Sequence, residues 1–149
     1  MSDTSKICTF YVHNYFFGIE VSKIQEVIRY QEMTHVPLTD AIICGLINLR
    51  GQIVTAVDMR KRLGFPEIQE DVKPTNVIVR TEDGAVSLLV DDIGDVIDIS
   101  RDIFDVPPEN LKGGIRLMLQ EVCKLEDKLL LILDIEQVLS IGQEDLKTN

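Results

Sequence analysis

The side chains able to do acid–base, nucleophilic or metal chemistry are few in this chain, and they are scattered. His13 and His35 are the only histidines. Each sits among turn-forming residues with no carboxylate or nucleophile at a motif spacing, so both read as turn or surface residues, not catalytic bases. Cys8, Cys44 and Cys123 are widely spaced, odd in number and set in apolar runs. That is the pattern of buried thiols acting as small hydrophobes, not of a disulfide or zinc framework. Asp91, Asp92 and Asp95 crowd together, but their spacing does not suit an EF-hand calcium loop and Gly94 is misplaced for one, so they read as solvated turn carboxylates. Gly113-Gly114 is not followed by the Gly-Lys-Ser/Thr of a phosphate loop. The expectation is a chain without catalytic residues, cofactor or metal.

Recognition chemistry is better represented. The run Gly45-Leu46-Ile47-Asn48-Leu49-Arg50-Gly51 is apolar and strand-like until it meets a Gly-bounded polar turn. The chain then restarts through Ile53, Val54 and Val57 and ends in the pair Asp58 and Arg60. Glycine at 51 tolerates positive φ, so the chain can reverse there and leave Asn48 and Arg50 exposed on the bend. An arginine so placed in an acidic chain either grips a carboxylate in its planar fork or is a plain surface arginine worth little. Asp58 and Arg60 read as a helix N-cap and a salt-bridging residue, the alternative being contact with a partner. Arg60-Lys61-Arg62, the one candidate basic patch, reads as a solvated helix face.

The elements that must hold these residues are short. Apolar runs separated by turn residues predict many brief strands. Ile7 to Val12 and Phe16 to Val21 pair around His13-Asn14-Tyr15. Ser22, three residues before Gln25, has capping-box spacing and predicts a short helix carrying Ile24, Val27 and Ile28. Val36-Pro37 breaks regular structure, and Thr39-Asp40 suits a single turn. Ile53 to Val57 is a strand, followed by a helix from Met59 to Leu63 between the Asp58 cap and the Gly64 stop. Asn76 to Thr81 and Ala85 to Val90 form a hairpin around Glu82-Asp83-Gly84. Val96 to Ile99 is a further strand, and Pro107-Pro108 opens a loop. Leu117 to Leu125 and Leu129 to Leu133 form a second hairpin, and Asp134 caps a last helix with Ile135, Val138 and Leu139. Leu129 to Leu133 is apolar at every position, so both of its faces should be buried.

Such spacing favours small barrels over a layered α/β sheet. The expected architecture is an all-β chain forming two small barrels around a shared hydrophobic core, with short helices. It is a single domain over 1–149, with approximate halves 1–65 and 75–149 that can interleave, and a linker over about 66–74. At 149 residues the chain buries about 68–70% of its unfolded surface, enough for an independent core. The net charge of −10 argues against nucleic acid and anionic lipid as partners. No signal-peptide core or membrane-spanning run is present, so the expected location is cytoplasmic.

The Gly45–Arg60 stretch resembles the GxxNLRGxxxPVxDLR signature of the CheW family of chemotaxis adaptors. It departs at Thr55, where the family usually has Pro, and at Met59, where it usually has Leu; neither change removes a charged group. Phe17 to Val27 is similar to the family's "(F/Y)GIxxxxVxEV" entry and Val36-Pro37 to its "VP" turn. Leu89 to Val96 resembles its "LLVDxVxxV" run, Pro107 to Leu111 its "PPxxL" loop and Leu131 to Glu136 its closing "LLDxxxL". Nearly the whole chain is covered in order. The resemblance implies two five-stranded SH3-like barrels and a non-catalytic adaptor that joins chemoreceptors to the histidine kinase CheA.

It further implies a receptor-binding set at Ile24, Glu26, Gly45, Arg50, Gly51 and Ile53, with an ion pair between Glu26 and Arg50. The receptor's cytoplasmic tip, a helical hairpin, would insert into a groove between the barrels. The implied kinase partner is the regulatory domain of CheA, and alternating copies of kinase and adaptor can close into rings. No direct membrane insertion is implied; the adaptor is recruited to receptor arrays. Two rival readings are a paralogous adaptor of a twitching or other non-flagellar pathway, and a ligand-binding or enzymatic small barrel. The family's variant fused to a receiver domain is disfavoured, because the chain ends shortly after its last predicted helix.

Overall fold

A computed structural model describes residues 3–35, 41–67, 69, 72–111 and 113–140. The expected features at Val36-Pro37 and Thr39-Asp40 lie outside these residues. Among the described residues, eleven strands and three short helices follow one another, and the fold is mainly β. β1 (Thr4–Val12) and β2 (Tyr15–Glu20) form the first hairpin, and β3 (Ile24–Ile28) follows a 3-10 turn over Val21–Lys23. β4 (Ile43–Leu49) and β5 (Gln52–Asp58) lead into helix α1 (Met59–Leu63), and β6 (Thr75–Thr81) and β7 (Gly84–Val90) form the next hairpin. β8 (Asp92–Ser100), β9 (Phe104–Asp105), α2 (Gly113–Arg116), β10 (Leu119–Lys124), β11 (Leu129–Leu133) and α3 (Ile135–Val138) complete the order.

The strands form two barrel-like sheets. One runs β8-β1-β2-β11-β10-β9 and the other β3-β6-β7-β5-β4. The first has six strands where five were expected, the extra one being the two-residue β9. It is assembled from β1, β2 and β8 to β11, while β3 to β7 form the second. The expected linker over about 66–74 falls in sequence between β5 and β6, both strands of the second sheet, and its residues 68, 70 and 71 lie outside the described residues.

Alternation along the strands explains the shared core. On β11, Leu130 and Ile132 face the interior of the first barrel with Ile7 and Ile99. Leu131 and Leu133 face the opposite way, into a large cluster with Phe10 and Phe17 of the first sheet and Val57, Val77, Val79 and Leu88 of the second. β6 does the same from its side, sending Ile78 inward against Ile47, Leu49 and Val54. Strands buried on both faces must be apolar throughout, as the Leu129 to Leu133 run is. The helices close this central cluster with Met59 and Leu63, Ile115, Ile135 and Val138.

One expected element is corrected. Ser22 caps no helix: no side chain caps the 3-10 turn, and Ile24 to Ile28 is a strand paired with β6. A bulge between Ile24 and Glu26 breaks the period of two. It spaces Ile24, Val27 and Ile28 as a helix would, and the apolar periodicity misled for that reason.

Candidate functional site

In the second sheet β3 and β4 are the end strands, so a barrel forms only if the segment after β3 reaches β4. It does. The Thr34 amide donates to Leu46 O (2.8 Å) and the Leu46 amide to Thr34 O (2.9 Å), an isolated antiparallel bridge. Gly45 makes the approach possible, since a Cβ there would lie 2.6 Å from Thr34 O and 3.3 Å from Met33 Cβ. Gly45 is itself buried, so its close backbone approach is to its own chain.

Farther along this seam stands Arg50. β4 and β5 pair from Ile43 opposite Val57 to Leu49 opposite Gln52, which leaves a tight turn of Arg50 and Gly51. Both have positive φ, 53° and 88°, the geometry of a type I′ hairpin turn. Gly51 adopts it freely; the arginine does so at a cost of about 1–2 kcal/mol. Asn48 Oδ1 accepts from the Gly51 amide at 2.9 Å and braces the bend. The Arg50 guanidinium donates to Glu26 Oε2 on β3, which also accepts from Gln25 Nε2 at 3.3 Å. The Arg50 side chain is nevertheless 69% exposed, against 22% for Glu26. An ion pair this open is worth roughly 0–1 kcal/mol. Its consequence is orientation: a guanidinium anchored on one edge keeps its remaining donors toward solvent.

Ile53, the first residue of β5 after Gln52, is 61% exposed and pairs across the strand with Asn48. Ile24 is half-buried and packs on the shared core. The turn therefore brings Arg50 against Glu26, with Gly51 and Ile53 exposed on the same hairpin; Gly45 is buried farther along β4 at the Thr34 bridge, and Ile24 packs on the shared core.

Asp58 and Arg60 do different work. Asp58 caps α1, accepting from the Lys61 amide at 3.2 Å, and Gly64 ends the helix with φ 83°. Arg60 grips Asp91 with two bonds, Nε to Oδ1 at 2.8 Å and Nη2 to Oδ2 at 2.6 Å, and its Nη1 donates to Pro66 O at 2.9 Å. Asp91 also accepts from the His13 amide at 2.8 Å. Burial pushes the Asp91 carboxyl up, but the Arg60 and His13 bonds outweigh it and hold it below the ordinary carboxylate value. Arg62 binds the carbonyls of Gln137 and Val138 at the end of α3. The basic run from 60 to 62 is thus largely spent inside the fold.

The cysteines are free among the described residues; Cys8 and Cys123 are buried. Burial pushes Cys44 and Cys123 up to about 12, with Asp58 adding to the rise at Cys44 and Glu121 at Cys123, so neither is an activated thiolate. His13 lies against the Phe65 ring (4.9 Å) in the β1–β2 turn, and His35 is exposed. No group of three metal-ligating side chains occurs among the described residues, and none of their helices is long and apolar enough to cross a membrane.

A family model described as a CheW-like domain matches residues 6–143. The chemotaxis protein CheW of Bacillus subtilis is 31% identical over 90% of this chain and 86% of its own length. The chain belongs to the CheW family. Among other relatives, CheW of Thermotoga maritima is 28% identical over 90% of this chain and 87% of its own length. The crystal structure of scaffolding protein TtCheW from Thermoanaerobacter tengcongensis superposes with a TM-score of 0.83 at 25% identity, covering 93% of this chain and 94% of that one.

Within the CheW signature, then, the structure separates two kinds of residue. Asp58, Arg60 and Gly45 hold the fold together, whereas Arg50, Gly51 and Ile53 reach the surface. Sequence reasoning missed Thr34, the other half of the seam, because nothing local marks a residue that pairs only across a barrel edge. It also missed Asn76 and Ser87, a buried polar pair at 2.7 Å, although Asn76 within an apolar strand run was a visible signal.

Proposed function

We propose that this CheW-family scaffold couples the cytoplasmic tips of chemoreceptors to the histidine kinase CheA, at receptor arrays on the cytoplasmic side of the membrane. CheW-family members are non-catalytic, so the coupling works by geometry: a shift in the bound receptor changes how the kinase is held. The observation that carries the reading is the Arg50 guanidinium. It projects from a positive-φ turn, is anchored by Glu26 and is still largely exposed beside Ile53. A helical tip laid on this seam meets an apolar contact at Ile53 and a directed cation at Arg50. The kinase's regulatory domain occupies a different surface, and alternating copies of kinase and adaptor close into rings.

The test is Arg50→Glu. We expect an unchanged circular dichroism spectrum and a drop of about tenfold or more in co-sedimentation with receptor-containing membranes. Undiminished capture would remove Arg50 from the docking face.

A further inference from the structure

Where β3 and β6 part company, a cleft of about 480 Å³ opens, lined by Arg29, Tyr30, Glu32, Lys73, Pro74 and Thr75. The last β3–β6 pair is Ile28 with Asn76, so Arg29 and Tyr30 form one wall and the residues just before Asn76 the other. One wall is fixed from inside. Asn76 is 1% exposed, its Nδ2 donates to Arg29 O at 3.1 Å, and its Oδ1 accepts from Ser87 Oγ at 2.7 Å. Across the mouth Lys73 Nζ lies 4.6 Å from the centre of the Tyr30 ring. Among the described residues neither Arg29 nor Lys73 forms an ion pair. Among the described lining residues, two cations without an ion pair stand against one carboxylate, Glu32, in a chain of net charge −10.

We propose that the Arg29–Lys73 cleft is a second docking point, receiving an acidic side chain of the protein segment that Arg50 grips. This rests on the receptor-docking reading above. Arg29 lies three residues beyond Glu26, about 10 Å of extended chain, within the footprint of one helical hairpin. A guanidinium accepts a carboxylate in a two-bond fork, the ammonium adds a point charge, and the Tyr30 face takes the methylenes of a glutamate. A nucleic acid or a lipid surface fits less well, because a polyanion meets the repulsion of the whole acidic chain, while one carboxylate meets the local field.

The test compares Arg29→Glu/Lys73→Glu, the gentler Arg29→Gln/Lys73→Gln and Arg50→Glu. The readout is sedimentation with vesicles carrying the organism's own chemoreceptor and with receptor-free vesicles rich in phosphatidylglycerol. We expect folded cleft variants to lose about tenfold in receptor capture at low ionic strength, with the gap narrowing as salt screens the charges. The glutamine pair should lose less, in the same direction. Capture by cleft variants equal to the wild type, with Arg50→Glu impaired, overturns the cleft and leaves the docking face standing. Loss in the cleft variants with Arg50→Glu unaffected supports the cleft and overturns the assignment to Arg50. Wild-type capture by receptor-free vesicles that the cleft variants lose makes the cleft a membrane-surface site and overturns the proposal.

Discussion

Arg50 occupies a backbone conformation that its own type does not favour. The first position of a type I′ turn is ordinarily Asn, Asp or Gly, residues that tolerate positive φ. Local stability alone would select one of these at φ 53°, so the cation is held there at the expense of the turn. Function and stability should therefore separate in one substitution. Arg50→Asn is expected to leave the urea midpoint unchanged or to raise stability by up to about 1 kcal/mol, while receptor capture falls. A variant that loses stability and capture together would show that the guanidinium holds the barrel shut through Glu26. That outcome would make its exposure incidental.

At the scale of elements the seam is the feature that matters, and Gly45 is its test. A methyl group at 45 meets a backbone carbonyl, Thr34 O, at 2.6 Å, and a backbone oxygen bonded into the bridge cannot simply rotate away. Gly45→Ala is expected to cost about 1–3 kcal/mol. It should also strip hydrogen-exchange protection from the Leu46 amide before the β6–β7 amides are affected. Simultaneous loss everywhere would mean that the seam is not a separate closure. Much of this element's chemistry was legible in the chain. Gly51, Gly64 and Gly84 mark reversals that local backbone sterics impose, so the β4–β5 turn, the end of α1 and the β6–β7 turn fell where expected. β3 was misread because its bulge imitates helical spacing. The strand order was illegible in pattern alone, since the parallel β2–β11 and β5–β7 pairs join segments far apart in sequence. The same holds for the site: Arg50 announces itself through Gly51, whereas Thr34 finds its partner only once the barrel has closed and the Arg29–Lys73 cleft only once β3 has paired with β6.

Across the whole molecule, the two barrels are joined by an apolar cluster and by a small number of polar clamps. Leu131 belongs to that cluster from the centre of its sheet, and Leu131→Ala should cost about 2–5 kcal/mol in a denaturant melt. The polar counterpart is Arg60. It ties α1, which follows the second sheet's β5, to Asp91 at the β7–β8 junction, and Asp91 in turn receives the His13 amide from the first sheet. Burial alone would lift the Asp91 carboxyl, yet its partners hold it below the ordinary value of 3.8. A carboxyl depressed in the folded state stabilises the fold above that ordinary value, and the contribution fades as pH falls through the depressed one. Arg60→Met keeps most of the side chain's bulk and removes the charge, leaving the His13 amide alone against the burial that pushes Asp91 up. The variant should be less stable by about 1.5–3 kcal/mol at neutral pH. The gap should be smallest in acid and widen as pH rises through the carboxylate range and Asp91 ionises without its partner. Urea midpoints at stepped pH measure this directly. A gap that is flat across the range would mean that Arg60 contributes packing and its bond to Pro66 O, with no electrostatic hold on the junction between the barrels.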